Sequence, residues 1–215
     1  FTNFAMSGID KVHFGLEAAV SIPIYHTLAL NGAVSWGQYT YDSNPYYLQT
    51  QDNSGDIVSD GYVYWKDFRV ESTPQTAVNV GLSWRSNNNI YLSADFNYYN
   101  NMYLSMSPIY RTDAVITGGM APGDIEHLRR QEKFDSAYTL NASIGKNWYI
   151  HRKYTLGFSL DVKNILNNQD IKTGGYEQTR LSKNTETTVT TYQAFDSKYF
   201  YMFGTTYYLN LYFRF

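Results

Sequence analysis

The stretch Lys11–Ile22, "KVHFGLEAAVSI", decides how the chain is read. Val12, Phe14, Leu16, Ala18, Val20 and Ile22 fall on one parity, and His13, Gly15, Glu17, Ala19 and Ser21 on the other. Period-two alternation of this kind predicts a β-strand with one apolar and one polar face. After the short turn "PIYH" (Pro23–His26) the scheme returns: Leu28, Leu30, Val34 and Trp36 alternate with Ala29, Asn31, Ala33 and Ser35. It recurs through Val78–Trp84, Ile90–Phe96, Tyr138–Ile144 and Leu156–Val162, and in Tyr199–Phe215, where Phe203 joins the apolar parity. These runs make about seven strands and an all-β, antiparallel chain.

Two architectures alternate like this. A soluble sandwich buries its apolar face. A transmembrane barrel shows that face to lipid and its polar face to the lumen. Three features favour the barrel. The runs reach about ten residues, the length a tilted strand needs to cross a bilayer, whereas ordinary strands peak near five or six. The charges Glu17, Arg85, Asp95, Asp161, Lys163 and Arg214 all fall on the polar parity and are expected to face the lumen. Lys146 is the exception, placed near a strand end where it can snorkel. Trp36, Trp84 and Trp148 sit near strand ends on the apolar parity, as an aromatic girdle requires.

The connections give the third feature. "PIYH", "RSNNN" and "IHRK" are short, while 41–75, 100–133 and 164–198 are long. Long and short alternate strictly, which predicts short periplasmic turns and long external loops. This parity places Gly61–Val70 in the first long loop, as an extension above the membrane. Seven crossings are an odd number and leave open edges, so the 215 residues are expected to be part of a larger barrel.

Composition agrees. Aromatic residues make up 18% of the chain, with 22 Tyr, suiting strands and half-wet interfaces. The net charge of −2 lacks the basic excess of a nucleic-acid binder. There is no Cys, so no disulfide framework or thiolate metal site. "FTNFAMSGID" is not a signal peptide, and the chain is expected to start within something longer or after processing. The charge-free run Ala18–Tyr41 carries Pro23 and strand periodicity, so it is not a membrane helix.

Motifs for chemistry are weak. "GGMAPGD" (Gly118–Asp124) lacks the Lys and Ser/Thr of a phosphate loop. His13, His26, His127 and His151 are scattered without metal-ligand spacing. Met102, Met106 and Met120 fit gap-filling better than a soft-metal loop. Asn141-Ala-Ser falls inside a predicted strand, where its glycosylation pattern means nothing. No Ser, His and carboxylate set is suggestive, so no enzyme and no cofactor are expected.

The stretches "SGIDKVHFGLEAAVSIPIYHTLALNGAVSWGQYTYD", "ESTPQTAVNVGLSW" and "GFSLDVKNILNNQ" resemble the late barrel of TonB-dependent outer-membrane receptors. "YLSMSPIYRTD", "RRQEKFDSAYTLNASIGKNW" and "KTGGYEQTR" resemble more narrowly the Bacteroidetes type with a carboxypeptidase-regulatory-like domain ahead of the plug. The resemblance runs over nearly the whole chain. It implies the C-terminal part of a plugged barrel of about 22 strands in the bacterial outer membrane. It implies energised uptake of a scarce or bulky nutrient (siderophore, haem, peptide or glycan). The TonB complex would be met through an N-terminal part outside these residues, and a surface lipoprotein is a further possible partner. It also implies that Tyr207, Leu209, Leu211, Phe213 and Phe215 form the terminal signal read by the barrel-assembly machinery. The lumen charges are expected to pair across strands or hold the plug. Tyr46, Tyr47, Trp65, Tyr110, Arg111, Asp113 and Tyr176 are the loop residues expected to meet substrate. Two alternatives stay open: a small stand-alone eight-stranded barrel with a structural or adhesin role, and a barrel enzyme.

Overall fold

The structure, a computed structural model, describes residues 1–151, 153–183 and 190–215. Arg152, in the expected turn Ile150–Lys153, and residues 184–189 of the third long connection lie outside the described residues. The strands are β1 (Thr2–Ser7), β2 (Lys11–Tyr25), β3 (Leu28–Tyr41), β4 (Tyr46–Gln51), β5 (Ile57–Tyr62), β6 (Thr76–Arg85) and β7 (Ile90–Asn100). They continue as β8 (Ala137–Ile150), β9 (Tyr154–Lys163), β10 (Lys172–Lys183), β11 (Thr190–Tyr201) and β12 (Thr206–Arg214). Helical structure is confined to a 3-10 turn at Pro108–Arg111, α1 (Asp113–Ile116) and α2 (Pro122–Arg129). None of these helices is long and apolar enough to cross a membrane, a fact silent on crossings by strands.

Seven strands form one antiparallel sheet in the order β12-β9-β8-β7-β6-β3-β2. They are the seven alternating runs of the sequence. Neighbours in sequence pair in space, and the register keeps parity intact across the sheet. Val34 faces Val78, Val80 faces Phe96, Phe96 faces Leu140, and Ile144 faces Leu160. Cross-strand apolar pairs of this kind are the unit of sheet stability. β12 carries Leu209, Leu211 and Phe213 opposite Leu160, Phe158 and Leu156. The sheet is open among the described residues: β2 and β12 are its edges and do not pair with each other.

Two smaller sheets stand at the long-connection end. The order β1-β4-β5 mirrors β2-β3-β6 below it. β10 and β11 form a long hairpin above β9 and β12, with β-bulges between Lys172 and Gly174 and between Tyr176 and Gln178. Gly61–Val70 therefore adds no eighth strand to the main sheet: Gly61 and Tyr62 end β5, and Val63 bridges to Thr112. The final run needs correction. Tyr199–Phe215 is not one strand but breaks between Tyr201 and Thr206. There the Asn164 side chain donates to the Phe203 carbonyl (3.1 Å), and Thr205 donates to the Asn164 carbonyl (2.8 Å). Phe203 is left outside the apolar stripe. The turn at "PIYH" also shifts: β2 runs through a bulge after Pro23 to Tyr25, so His26 and Thr27 turn the chain.

The burial is unusual for a sheet this large. Most of the described buried apolar side chains form two clusters at the long-connection end: Met102, Leu104, Phe134, Ala137 and Ile171, and Tyr41, Tyr47, Val63 and Trp65. Met106 and Met120 are buried beside them in the same loops, so these methionines pack, as gap-fillers do. Among the described residues the main sheet has no core beyond its long-connection end, where Tyr41 and Ala137 join these clusters. Phe14, Leu16, Val80, Leu82, Ile144, Leu156 and Leu211 are all exposed, Leu16 by 69% and Leu211 by 71%. Among the described residues no second sheet covers the apolar stripe.

Candidate functional site

The polar face of the main sheet is a lattice of side-chain hydrogen bonds between neighbouring strands. Ser21 donates to Asn31 (2.7 Å), and Asn31 donates to Ser83 (3.2 Å). Asn79 donates to Asn97 (2.8 Å), which donates to Thr139 (3.4 Å). The Ser93 and Ser143 hydroxyls are hydrogen-bonded to each other at 2.8 Å. Tyr212 arches from β12 over its register partner Gly157 and donates to Asn147 on β8. A Cβ on Gly157 would meet that ring, so glycine leaves the tyrosine room to pass.

The six polar-parity charges behave differently from expectation. Among the described residues, none of Glu17, Arg85, Asp95, Asp161, Lys163 and Arg214 forms an ion pair. They are distributed over β2, β6, β7, β9 and β12, with Asp161 and Lys163 both on β9. Glu17 accepts from Ser35 (3.3 Å), and Asp95 lies against Gly81. Arg85 lines a recess of about 620 Å³ at the short-turn end with Ser83 and Tyr91. Arg214 lines another with Tyr149 and Tyr212. Lys146, on the apolar parity, rests its ammonium 5.3 Å from the Trp148 ring.

At the long-connection end, the three long loops are stitched into one body by the middle loop. Toward the first loop, Gln131 acts as a piece of strand: its carbonyl accepts from the Arg69 N–H and its amide donates to the Arg69 carbonyl, both at 2.8 Å. Asp113 accepts from the Tyr62 N–H (3.1 Å). Gly61, at φ +149°, leaves room for that carboxylate where a Cβ would collide with it. Toward the third loop, Glu132 accepts from Ser197 (3.1 Å) and Tyr199 (2.6 Å). The bond from Tyr199 to Glu132, followed by partial burial, holds the phenol above its ordinary range. Lys172 places its ammonium 3.8 Å from Glu132 and 3.8 Å from the Tyr199 ring.

Arg111 is the centre of this body. Its guanidinium donates to the Leu128 and Ser107 carbonyls (2.9 Å each) and to both oxygens of Glu177, with Nη2–Oε2 at 2.8 Å. Glu177 also accepts from the Ser107 N–H (2.5 Å). The Phe68 ring of the first loop lies 5.7 Å from the guanidinium. A buried charge is tolerated only when paired and bonded in this way.

The seven loop residues expected to meet substrate divide. Arg111 is interior and holds the loops together. Tyr47 is interior too, stacked on Phe4 (5.2 Å) and sharing a bond with Ser59 (2.7 Å). Trp65 is interior, stacked on Tyr41 at 4.6 Å. These three are corrected from contact surface to packing, because the loops form a core of their own. Tyr46 stays exposed beside Tyr62, and its phenol is raised by a bond to Asp60. Asp113 is half-buried and already engaged. Tyr110 and Tyr176 meet in one cleft of about 450 Å³ with Gln178, Arg180 and Phe195, and Glu177 at its inner side. Of that cleft, sequence reasoning named only the two tyrosines. Glu177, Arg180 and Phe195 sit in a run without periodicity, and only their charge and ring in a long loop could have flagged them.

Three histidines meet aromatic neighbours: His13 stacks on Tyr39 (4.8 Å), His26 lies 5.2 Å from Tyr25, and His127 lies 5.4 Å from Tyr192. Among the described residues no group of His, Asp and Glu could hold a metal ion. No family model, curated protein or solved structure matches the chain.

Proposed function

We propose that this chain forms part of the wall of an outer-membrane β-barrel transporter of the TonB-dependent kind. One observation carries the reading: a seven-stranded sheet with an apolar stripe on one face, interrupted by Lys146, a polar lattice on the other, and, among the described residues, no protein core against either. In water so large a bare apolar patch is an aggregation hazard. Against lipid tails it is the stable arrangement. The strand lengths and aromatic positions support the same setting. From Tyr138 to Trp148 is about 33 Å of strand, or about 25 Å of thickness at a tilt near 40°, which matches the apolar band of outer-membrane barrels.

The polar face would line the lumen, and the short turns would face the periplasm. The stitched loops would stand outside as a preorganised rim. Free edges on β2 and β12 cannot persist in lipid, so strands beyond this sheet would complete the wall. The resemblance to Bacteroidetes-type receptors adds the rest of the proposal: about 22 strands, an N-terminal plug, energy from a TonB complex, and a nutrient as cargo. Assembly would use the β12 stripe as the signal to the insertion machinery.

The intact mass and location of the protein in its own cells test this reading. The expected result is a species several times 24.8 kDa that fractionates with the outer membrane and needs detergent for extraction. A water-soluble protein extracted without detergent would overturn it.

A further inference from the structure

We propose that the cleft between Tyr110 and the β10–β11 hairpin binds a small anionic molecule carried on a flat ring, with Arg180 as the anion contact. The inference rests on the reading of the long-loop end as the outward rim, and it goes further by naming a ligand chemistry and a residue for it.

Three observations meet at this place. The first is rigidity. The cleft is walled by two loops, with Tyr110 from the middle one and Tyr176, Gln178, Arg180 and Phe195 from the hairpin. The buried pair Arg111–Glu177 locks these loops at the cleft's inner side, and Tyr110 is the residue next to Arg111. Its walls are therefore set before any ligand arrives, which lowers the ordering cost of binding.

The second is shape. At about 450 Å³ the cleft is within the size range of small-molecule sites, which are typically aromatic-lined with a few placed polar groups. Tyr176 and Phe195 remain 49% and 44% exposed although the cluster of Met102, Leu104, Phe134, Ala137 and Ile171 draws on the same two loops. Their exposed rings offer aromatic surface to a flat ring in the cleft.

The third is charge. The carboxylate at the cleft, Glu177, is fully engaged by Arg111 and the Ser107 N–H and offers nothing to a cation. Arg180 is exposed, and its guanidinium lies 5.4 Å from the Phe195 ring. No described carboxylate comes within ion-pair distance of it. A guanidinium stacked on an aromatic face keeps its fork of N–H donors available at the edge. Such a fork takes a carboxylate or a phosphate at two points. Gln178 lies on the same face of β10, two residues before Arg180, and adds a neutral donor and acceptor.

The test uses the protein purified in detergent from its own membrane. It is titrated by calorimetry with 4-hydroxybenzoate, with phenyl phosphate, and with the neutral methyl ester of 4-hydroxybenzoate. The expected result is saturable binding of at least one anion with a Kd of about 1 mM or tighter, and at least tenfold weaker binding of the ester. Which anion binds better separates a carboxylate ligand from a phosphate one. Arg180→Gln should lose about tenfold and Arg180→Lys less, while Arg214→Gln, on the opposite end of the molecule, leaves binding unchanged. Phe195→Leu keeps the apolar volume and should weaken both anions alike. Because Arg180 is exposed, its variants should fold, and unchanged heat-modified mobility verifies this. Absence of saturable binding, equal binding of ester and acid, or indifference to Arg180→Gln would overturn the proposal. A protein embedded in the outer membrane that fails this titration contradicts only the ligand assignment. A protein found soluble in water contradicts the transporter reading instead.

Discussion

Arg111 and Glu177, 66 residues apart in sequence, meet as a buried two-point pair whose side chains are only 3% and 15% exposed. The pair fastens the β10–β11 hairpin to the middle loop, and Phe68 on the guanidinium brings in the first loop. Replacing Arg111 with Met should leave Glu177 buried without its partner. Breaking a buried pair typically costs about 3–5 kcal/mol. The expected result is rapid hydrogen exchange across β10 and β11 with little change in β6–β9. Adding Glu177→Gln should recover much of the loss. Equal destabilisation by the single and double variants would show that the pair is not the fastening.

Gln131 supplies a second, independent fastening through its paired bonds to the Arg69 backbone. Gln131→Leu removes both and leaves a half-buried N–H and carbonyl to find water, a loss of about 1–3 kcal/mol. Exchange should quicken at Arg69 and its neighbours, while the Arg111 region stays protected. The two sites share no partner, so their effects should add.

Register between β9 and β12 depends on the Tyr212 ring passing over Gly157 to Asn147. Gly157→Ala should lower the temperature at which folded protein loses its compact electrophoretic mobility. Tyr212→Ala in the same molecule should restore part of it, because the obstacle is a side chain and not backbone. If the second substitution adds its own loss in full, the contact is not what constrains Gly157.

Alkali should loosen the hairpin before the sheet. Tyr199 donates to Glu132, and that bond, with lesser burial, raises its pKa above the ordinary value. A raised pKa means that the fold favours the neutral phenol. The stabilisation is then complete below about pH 10, the unfolded value, and fades as pH rises through the folded one. Tyrosinate absorbance should show a late-ionising tyrosine that vanishes in Tyr199→Phe and ionises earlier in Glu132→Gln. A titration unchanged by both substitutions would contradict the assignment.

The main sheet was legible because each of its strands obeys one period over about ten residues. Val12 to Ile22 and Tyr138 to Ile144 announce both strand and face without help from any partner. The loop body was not legible, for a physical reason. β4, β5, β10 and β11 are short or bulged, and their inward residues are set by contacts with distant segments. Tyr47 and Trp65 look like display residues in sequence, yet they become a core once Phe4 and Tyr41 arrive against them. The split of the last run at Met202 escaped for the same reason. Its alternation continues through the break, while the Asn164 and Asn167 side chains that hold the break lie far earlier in the chain, Asn167 standing 38 residues before Thr205. In the cleft, Tyr110 and Tyr176 were marked by residue type alone, and Arg180 needed the fold to bring it to them.

Lipid contact by the even-numbered face of β6, β8 and β9 is the claim on which the account turns. The chain contains no Cys, so single spin labels can be placed cleanly. Labels at Leu82, Ile144 and Leu156 should be open to oxygen and shielded from a water-soluble nickel relaxant in membranes. Labels at Ser83, Ser143 and Ser159 should show the reverse. Alternation of this sign at all three strands is the predicted result, and nickel reaching Leu82, Ile144 and Leu156 as readily as their odd-numbered neighbours would contradict it.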